Sequence, residues 1–270
     1  MNVSEQRKRF YELHESGTFV MPNPHDVGSA KLLEQLDFSA LATTSGGFAN
    51  ALGRLDLSTS RNELVHHVTQ LAESLMVPLN VDAERCFPKS PGGISQTVSE
   101  LADAGASGVS LEDWDPATEK ITELEASVAA VREAAEAAQS FGIVLTARAE
   151  NHLHGVSDIE DTIERLCAYR DAGAQCLYAP GLADLTQIAK DVDETKAPLN
   201  VLLLPGGPTV AELAAVGVRR ISIGSWFAHI AYGSLYHAAK ELRDAGTLSI
   251  DAHYLSHESS QAAFTPRVVR

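Results

Sequence analysis

Pro78-Leu79-Asn80-Val81-Asp82-Ala83-Glu84 begins as a short buried-strand run and closes on two carboxylates. The same construction returns in Gly108-Val109-Ser110-Leu111-Glu112-Asp113 and again in Ile143-Val144-Leu145-Thr146-Ala147-Arg148-Ala149-Glu150. Three strands that each end on charge put acidic groups at one end of a parallel sheet. Carboxylates held together raise one another's pKa unless a cation compensates. The carboxyl ends of the strands are also where α/β barrels keep their reactive groups. The pattern therefore reads as a cation site at the mouth of a β/α barrel.

Working outward, further runs rich in Val, Ile and Leu read as strands over Thr18–Met21, Ala40–Thr44, Gln175–Ala179, Pro198–Leu203 and Arg220–Gly224. With Pro78–Asp82, Gly108–Glu112 and Ile143–Arg148 they make eight. Continuous apolar runs suit strands covered on both faces. Amphipathic helices are expected between them at Asn62–Leu75, Ile94–Ala104, Glu125–Phe141, Ile159–Ala172, Leu185–Glu194 and Thr209–Val216. Three of these end on Ala104-Gly105, Ala172-Gly173 or Val216-Gly217, where glycine supplies the left-handed turn back to a strand. Strand–helix alternation demands a parallel sheet with right-handed crossovers. The expected fold is α/β: a single (β/α)8 TIM-type barrel, with a doubly wound open sheet as the alternative.

The length of 270 residues suits one barrel of about 250 residues. Residues 1–245 are assigned to the barrel and an additional C-terminal helix, and 246–270 to a polar tail, loosely ordered from Ser256. The helix, Ser225–Ala245, carries Trp226, Phe227, Ile230, Tyr232, Leu235 and Tyr236. It packs either across the barrel or on another subunit. Met1 to Gly17 reads as an amphipathic helix and not as a signal peptide. No apolar run reaches the ~18 residues of a membrane span. A formal charge of −15 argues against binding a nucleic-acid backbone. Cys86, Cys167 and Cys176 show no paired spacing, so reduced thiols and a cytoplasmic location are expected.

Candidate chemistry follows from strand ends. Asp82 and Glu84 share an inward parity, Glu112 ends the fourth strand, and Asp56 lies in a polar loop. Carboxylates with waters suit Mg²⁺ or Mn²⁺, and the absence of clustered Cys and His argues against zinc. Arg148 is the natural anion grip, with Glu150 orienting it. The Ser45-Gly46-Gly47 turn offers backbone amides to a carboxylate or enolate oxygen, and Asn200 offers a neutral amide. His152 and His154 stand one step past the fifth strand as candidate bases, whereas His66 and His67 read as helix surface. Cys86 reads as a bystander thiol.

Taken together, Met21-Pro22-Asn23-Pro24-His25-Asp26-Val27-Gly28-Ser29-Ala30, Ala42-Thr43-Thr44-Ser45-Gly46-Gly47, Asp82-Ala83-Glu84, Glu112-Asp113, Ala147-Arg148-Ala149-Glu150 and Gly217-Val218-Arg219-Arg220-Ile221-Ser222 resemble the isocitrate lyase/phosphoenolpyruvate mutase superfamily. The resemblance spans roughly Phe19 to Tyr232. It implies a Mg²⁺-dependent enzyme that makes or breaks a C–C or P–C bond beside a carbonyl, through an enolate-like intermediate. It implies Asp82 and Glu84 as metal residues, Asp56 and Glu112 in support, the Ser45-Gly46-Gly47 turn as substrate cradle, and Arg148 as the group that neutralises developing charge. It further implies tetramers that exchange a C-terminal helix. Isocitrate and methylisocitrate lyases carry a lysine-rich, cysteine-containing gating loop after the Glu-Asp pair. This chain has Trp114-Asp115-Pro116-Ala117-Thr118-Glu119-Lys120 there, and the mutases' Asn-Ser loop is also missing.

The expected function is thus a Mg²⁺- or Mn²⁺-dependent lyase on a small α-oxo or α-hydroxy carboxylate, working as a homotetramer or homodimer. A phosphoenolpyruvate mutase-like P–C enzyme is the first alternative. A non-catalytic barrel that binds an oxo acid is the second.

Overall fold

The computed structural model describes residues 1–249 and 254–265. Eight strands form one parallel sheet: β1 (Phe19–Val20), β2 (Leu41–Ala42), β3 (Leu79–Asp82), β4 (Gly108–Glu112), β7 (Val144–Arg148), β8 (Cys176–Tyr178), β9 (Leu199–Leu202) and β10 (Arg220–Ser222). The intervening β5 (Trp114–Asp115) and β6 (Lys120–Ile121) make a separate antiparallel hairpin. Around the sheet run α1 (Val3–Glu15), α2 (Val27–Gln35), α3 (Ser45–Ala51), α4 (Arg61–Ser74), α5 (Gly93–Asp103), α6 (Leu124–Phe141), α7 (Ile159–Asp171), α8 (Leu185–Thr195), α9 (Val210–Ala215), α10 (Trp226–Ala245) and α11 (His257–Phe264).

The ladder runs β1-β10-β9-β8-β7-β4-β3-β2. Its two ends meet just past β1, where the Ala42 N–H donates to the Pro22 carbonyl at 3.1 Å and the Asn23 amide donates to the Thr43 carbonyl at 2.9 Å. The sheet therefore curls into a TIM-like barrel. The open sheet considered as an alternative is excluded by that closure.

Strand pleating sorts the residues. Leu79, Val81, Val109, Leu111, Leu145, Ala147, Leu177, Leu199, Val201 and Ile221 face outward into the main core beneath the helices. The alternate positions point into the barrel. At the amino-terminal end α1 plugs the barrel with Phe10, which packs with Phe19, Met21, Ala40, Ala42, Val144 and Cys176. The Arg7 guanidinium secures that plug by donating to the carbonyls of Ala102, Ala106 and Phe141, near the carboxyl ends of α5 and α6. A cation there also meets the negative end of each helix dipole. With the bottom closed by α1, the polar cavity among the strand ends opens toward the opposite mouth.

Two expectations change. His257–Phe264 is not a loose tail: Ser256 caps α11, which packs on α2 and buries Ala263. Positions 250–253 and 266–270 of that tail lie outside the described residues. His67 is not helix surface but 5% exposed and stacked on Phe48, ring centroids 3.9 Å apart, while His66 stays exposed. The apolar stripe of α4 is wide enough to take the ring in.

Candidate active site

Three neighbouring strands converge on one guanidinium. Arg148, the last residue of β7, donates from Nε to Glu150 at 2.6 Å and from Nη1 to Asp82 at 2.7 Å, and its Nη2 lies 3.2 Å from Glu112. Register explains the meeting, because Glu112 pairs with Arg148 across β4 and β7 while Asp82 is level with Ser110 one strand further on. The Tyr178 ring lies under the guanidinium, 5.3 Å from centroid to Cζ, a cation–π arrangement. Pleating splits the Glu112-Asp113 pair. Asp113 points outward, accepting the Glu150 N–H at 2.9 Å and the Tyr169 hydroxyl at 2.7 Å. It thereby holds the backbone that aims Glu150 at Arg148.

The Ser45-Gly46-Gly47 turn is the first turn of α3, capped by Thr44. Its Ser45 N–H donates to Asp82 Oδ2 at 3.1 Å, and its Gly47 N–H donates to Thr44 Oγ1 at 3.3 Å. Glycine is required for space. A Cβ on Gly46 would stand 2.8 Å from Ser225 Oγ and 3.1 Å from Asp56 Oδ2, and one on Gly47 would stand 2.5 Å from Thr44 Cγ2. The close approach brings Asp56, Asp82 and the amino end of α10 to one rim.

Inside that rim is a cavity of ≈ 200 Å³ lined by, among others, Ser45, Asp56, Asp82, Arg148, Tyr178 and Asn200. Glu84 lies elsewhere. Its backbone turns at φ 50°, so strand parity does not govern it, and its side chain lines an adjoining cavity together with Glu112. It still feels the cluster. Burial, then Asp82 and Asp56, push the Glu84 carboxyl up to about 8. Burial and Asp82 also raise Asp56. Glu112 and Glu150 are raised by burial against the pull of Arg148, because several carboxylates compete for one guanidinium.

The remaining candidates sort by contact. His152 Nε2 bonds to the Thr162 hydroxyl at 3.0 Å, on the outside of the mouth. His154 stacks on Trp114 of the β5–β6 hairpin, centroids 3.4 Å apart. Cys86 is buried and its thiol pKa is raised by that burial, which makes it a poor nucleophile. Lys120 sits exposed on the hairpin that occupies the gating-loop position. Reading the sequence missed Thr43, whose hydroxyl accepts the Asp82 N–H at 2.8 Å, and also Tyr178, Asn80, Ser225 and Arg220 on the cavity wall. Tyr178 ends its strand as Arg148 does, and Arg220 is a charge opening an apolar strand. Either signal could have been read.

A closed barrel that pairs Asp82, Glu112 and Glu150 with one arginine, with Asp56 and Glu84 near enough to feel the same charges, beside a small polar cavity, is an enzyme scaffold for small anionic substrates. The chain belongs to the phosphoenolpyruvate phosphomutase family, which it matches over residues 10–243, and is thus a member of the isocitrate lyase/phosphoenolpyruvate mutase superfamily of lyases and mutases. It is 31% identical to an oxaloacetate decarboxylase of Paraburkholderia xenovorans, over 93% of this chain and 86% of that one. A crystal structure of a Burkholderia cenocepacia J2315 protein, provisionally named a lyase/mutase, superposes with TM-score 0.92 at 39% identity and covers 98% of this chain and 97% of its own. A phosphonopyruvate hydrolase crystallised with oxalate and Mg²⁺ shares the fold at TM-score 0.84 and 22% identity, over 97% of this chain and 95% of that one.

Proposed function

We propose that the protein is a Mg²⁺-dependent lyase that decarboxylates, or cleaves a C–C bond of, a small α-oxo carboxylate through an enolate-like state. The observation that carries the proposal is the surplus of carboxylate at the cavity. Asp82 faces it between the Ser45 amide and Arg148, with Asp56 and Glu84 close by and, among the described residues, no cation besides Arg148 in their ion pairs. Such a set fits a hard cation. Among the described residues no three His, Cys, Asp or Glu side chains close directly on one point. Mg²⁺, or Mn²⁺ in its place, needs no such closed cluster, because it keeps several waters and takes one or two carboxylates directly. Asp82 would hold the ion, with Asp56, Glu84 and Glu112 reaching it through water.

Bound there, the ion would supply Lewis-acid stabilisation of negative charge on the oxo oxygen. The chain's own groups do the rest. The α3 amino-terminal turn receives the substrate carboxylate, and Asn200, whose Nδ2 donates to Ser222 Oγ at 3.0 Å, lines the same cavity with its second amide N–H to offer. Arg148 neutralises charge as the bonding electrons move toward the carbonyl, and Glu112 and Glu150 keep its planar fork oriented. Tyr178 closes the side of the cavity against water.

The proposal includes a cytoplasmic enzyme assembled as a homotetramer or homodimer. In support, α10 exposes Trp226, Ile230, Leu235 and Tyr236 and buries only Ala228. Among the described residues no helix is long and apolar enough to cross a membrane.

The test begins with thermal shift. Mg²⁺ with oxalate should raise the melting temperature, and Asp82→Ala should abolish that rise while leaving the far-ultraviolet spectrum unchanged. No rise in the unaltered protein defeats the metal reading. Product NMR on oxaloacetate, methylisocitrate and phosphonopyruvate then separates C–C from P–C chemistry. Binding without turnover of any of the three would leave a non-catalytic oxo-acid barrel.

A further inference from the structure

The anion grip is held from behind the sheet as well as from inside the barrel. Of the three carboxylates on Arg148, Asp82 and Glu112 are shared with the proposed cation, and Glu150 is left to serve the guanidinium alone. Space flanks Arg148 on both sides. It lines the ≈ 200 Å³ cavity in front and a second cavity of ≈ 120 Å³ behind, which Glu112, Asp113, Thr122, Ser127 and Tyr169 also line. Packing alone therefore leaves the plane of the fork free to swing. What fixes it has to come through hydrogen bonds.

Those bonds form a chain that ends on α7. Glu150 Oε1 accepts from Arg148 Nε at 2.6 Å, and the Glu150 N–H donates to Asp113 Oδ1 at 2.9 Å. On the outer face of the sheet Asp113 Oδ2 accepts the Tyr169 hydroxyl at 2.7 Å, and Arg165 Nη1 lies 3.4 Å from the same oxygen. Arg165 is itself fixed, donating from Nη1 to the Thr122 carbonyl at 3.0 Å and from Nε to Asp161 at 2.9 Å. Tyr169, Asp113 and Glu150 are all buried. Hydrogen bonds to a buried carboxylate are strong, because water does not compete for it. The helix thus reaches past the strand ends to the guanidinium, although Tyr169 and Arg165 stand outside the substrate cavity.

We infer that Tyr169 is a positioning residue for Arg148, acting through Asp113 and the Glu150 backbone, with Arg165 as a second anchor. The inference rests on the proposed lyase reading for what Arg148 does, and on the geometry alone for what holds it. Loss of the Tyr169 hydroxyl leaves Asp113 Oδ2 with the longer Arg165 contact and lets the Glu150 backbone shift. The fork then tilts toward the cavity behind it. A ground-state carboxylate still binds at the α3 turn, whereas charge that develops only in the transition state meets a misaligned donor. The cost falls on kcat rather than on KM.

The test uses the full chain and two readouts. The proton–nitrogen NMR signal of the Arg148 Nε–H, assigned by its loss in Arg148→Lys, should exchange with water about tenfold faster in Tyr169→Phe than in the unaltered protein. With whichever of oxaloacetate, methylisocitrate and phosphonopyruvate is turned over, Tyr169→Phe should lower kcat about tenfold and move KM by less than about twofold. Ile163→Val lightens the packing of the same helix at a buried position outside the chain of bonds, and should change neither readout. An unchanged Arg148 signal in Tyr169→Phe overturns the inference, and so does an unchanged kcat. An equal change in Ile163→Val overturns it too, because the effect would then be general loosening. If Tyr169→Phe does not fold, Arg165→Gln carries the same comparison with the same expected direction. Absence of turnover of all three acids overturns the lyase reading, and the Arg148 signal still decides whether Tyr169 holds the guanidinium.

Discussion

At the scale of single residues, Arg148 balances three carboxylates with one charge, and that ratio governs what a substitution costs. Arg148→Met leaves Asp82, Glu112 and Glu150 buried without their partner. Breaking a buried pair from one side costs about 3–5 kcal/mol. The orphaned carboxylates will take up protons, so the loss should be larger at pH 8 than at pH 5.5 in urea melts. Turnover should fall by about a hundredfold or more, since charge stabilisation is lost at the reacting centre. Asp191 on α8 offers a case outside the site. It is fully buried, neither carboxylate oxygen has a hydrogen-bond partner, and burial followed by Glu194 pushes its pKa up to about 7. An acid whose folded pKa exceeds its unfolded value, about 3.9, favours the folded state at low pH. That advantage is lost as pH rises toward about 7. Asp191→Asn should therefore melt like the unaltered protein near pH 4 and above it at pH 8, by on the order of 2–4 kcal/mol. An unchanged melting curve at pH 8 would falsify the buried-acid reading.

At the scale of elements, the β5–β6 hairpin is the departure that matters. A two-strand hairpin stands where related lyases carry a gating loop, and it is tied down at both ends. Arg85 pairs with Asp115 at 2.8 Å, and the Thr122 N–H donates to the Asp113 carbonyl at 2.8 Å. Trp114 stacks on His154, which joins the hairpin to the turn after β7. Trp114→Ala should speed amide exchange in both 114–121 and 152–156 while the barrel strands stay protected. Faster exchange in the hairpin alone would show that the stack does not couple them. The absence of a cysteine-bearing loop was legible from Trp114–Lys120, but its replacement by a pinned hairpin was not. Pairing between Trp114 and Ile121 depends on contacts with Arg85 and His154 that no local pattern contains. The α11 helix was missed for the same reason: its eight residues show little amphipathicity, and α2 supplies the surface that orders them.

At the scale of the molecule, a barrel that buries only Ala228 of a 20-residue helix and leaves its aromatic and aliphatic side chains exposed invites a second copy. Sedimentation should give two or four times the 28.8 kDa chain mass. Leu235→Glu with Tyr236→Glu should shift the mass toward one chain, because both side chains are more than 60% exposed on α10 and lie off the single-chain core. A single-chain mass in the unaltered protein would remove the assembly proposal without touching the site. The sequence by itself determined the eight strands, their parallel order and the charge at their carboxyl ends. These follow from apolar runs, glycine turns and a pleat that alternates with period two. It also determined that Asp82, Glu112 and Arg148 face one interior, since inward parity is a local property. Only the tertiary structure decided which charge serves which partner. Arg148 meets Asp82 across 66 positions of sequence, Glu84 escapes the pleat through a left-handed backbone, and Arg220 reaches Thr146 across 74 positions. Each outcome depends on distances set by barrel closure, and closure is a property of all the strands together.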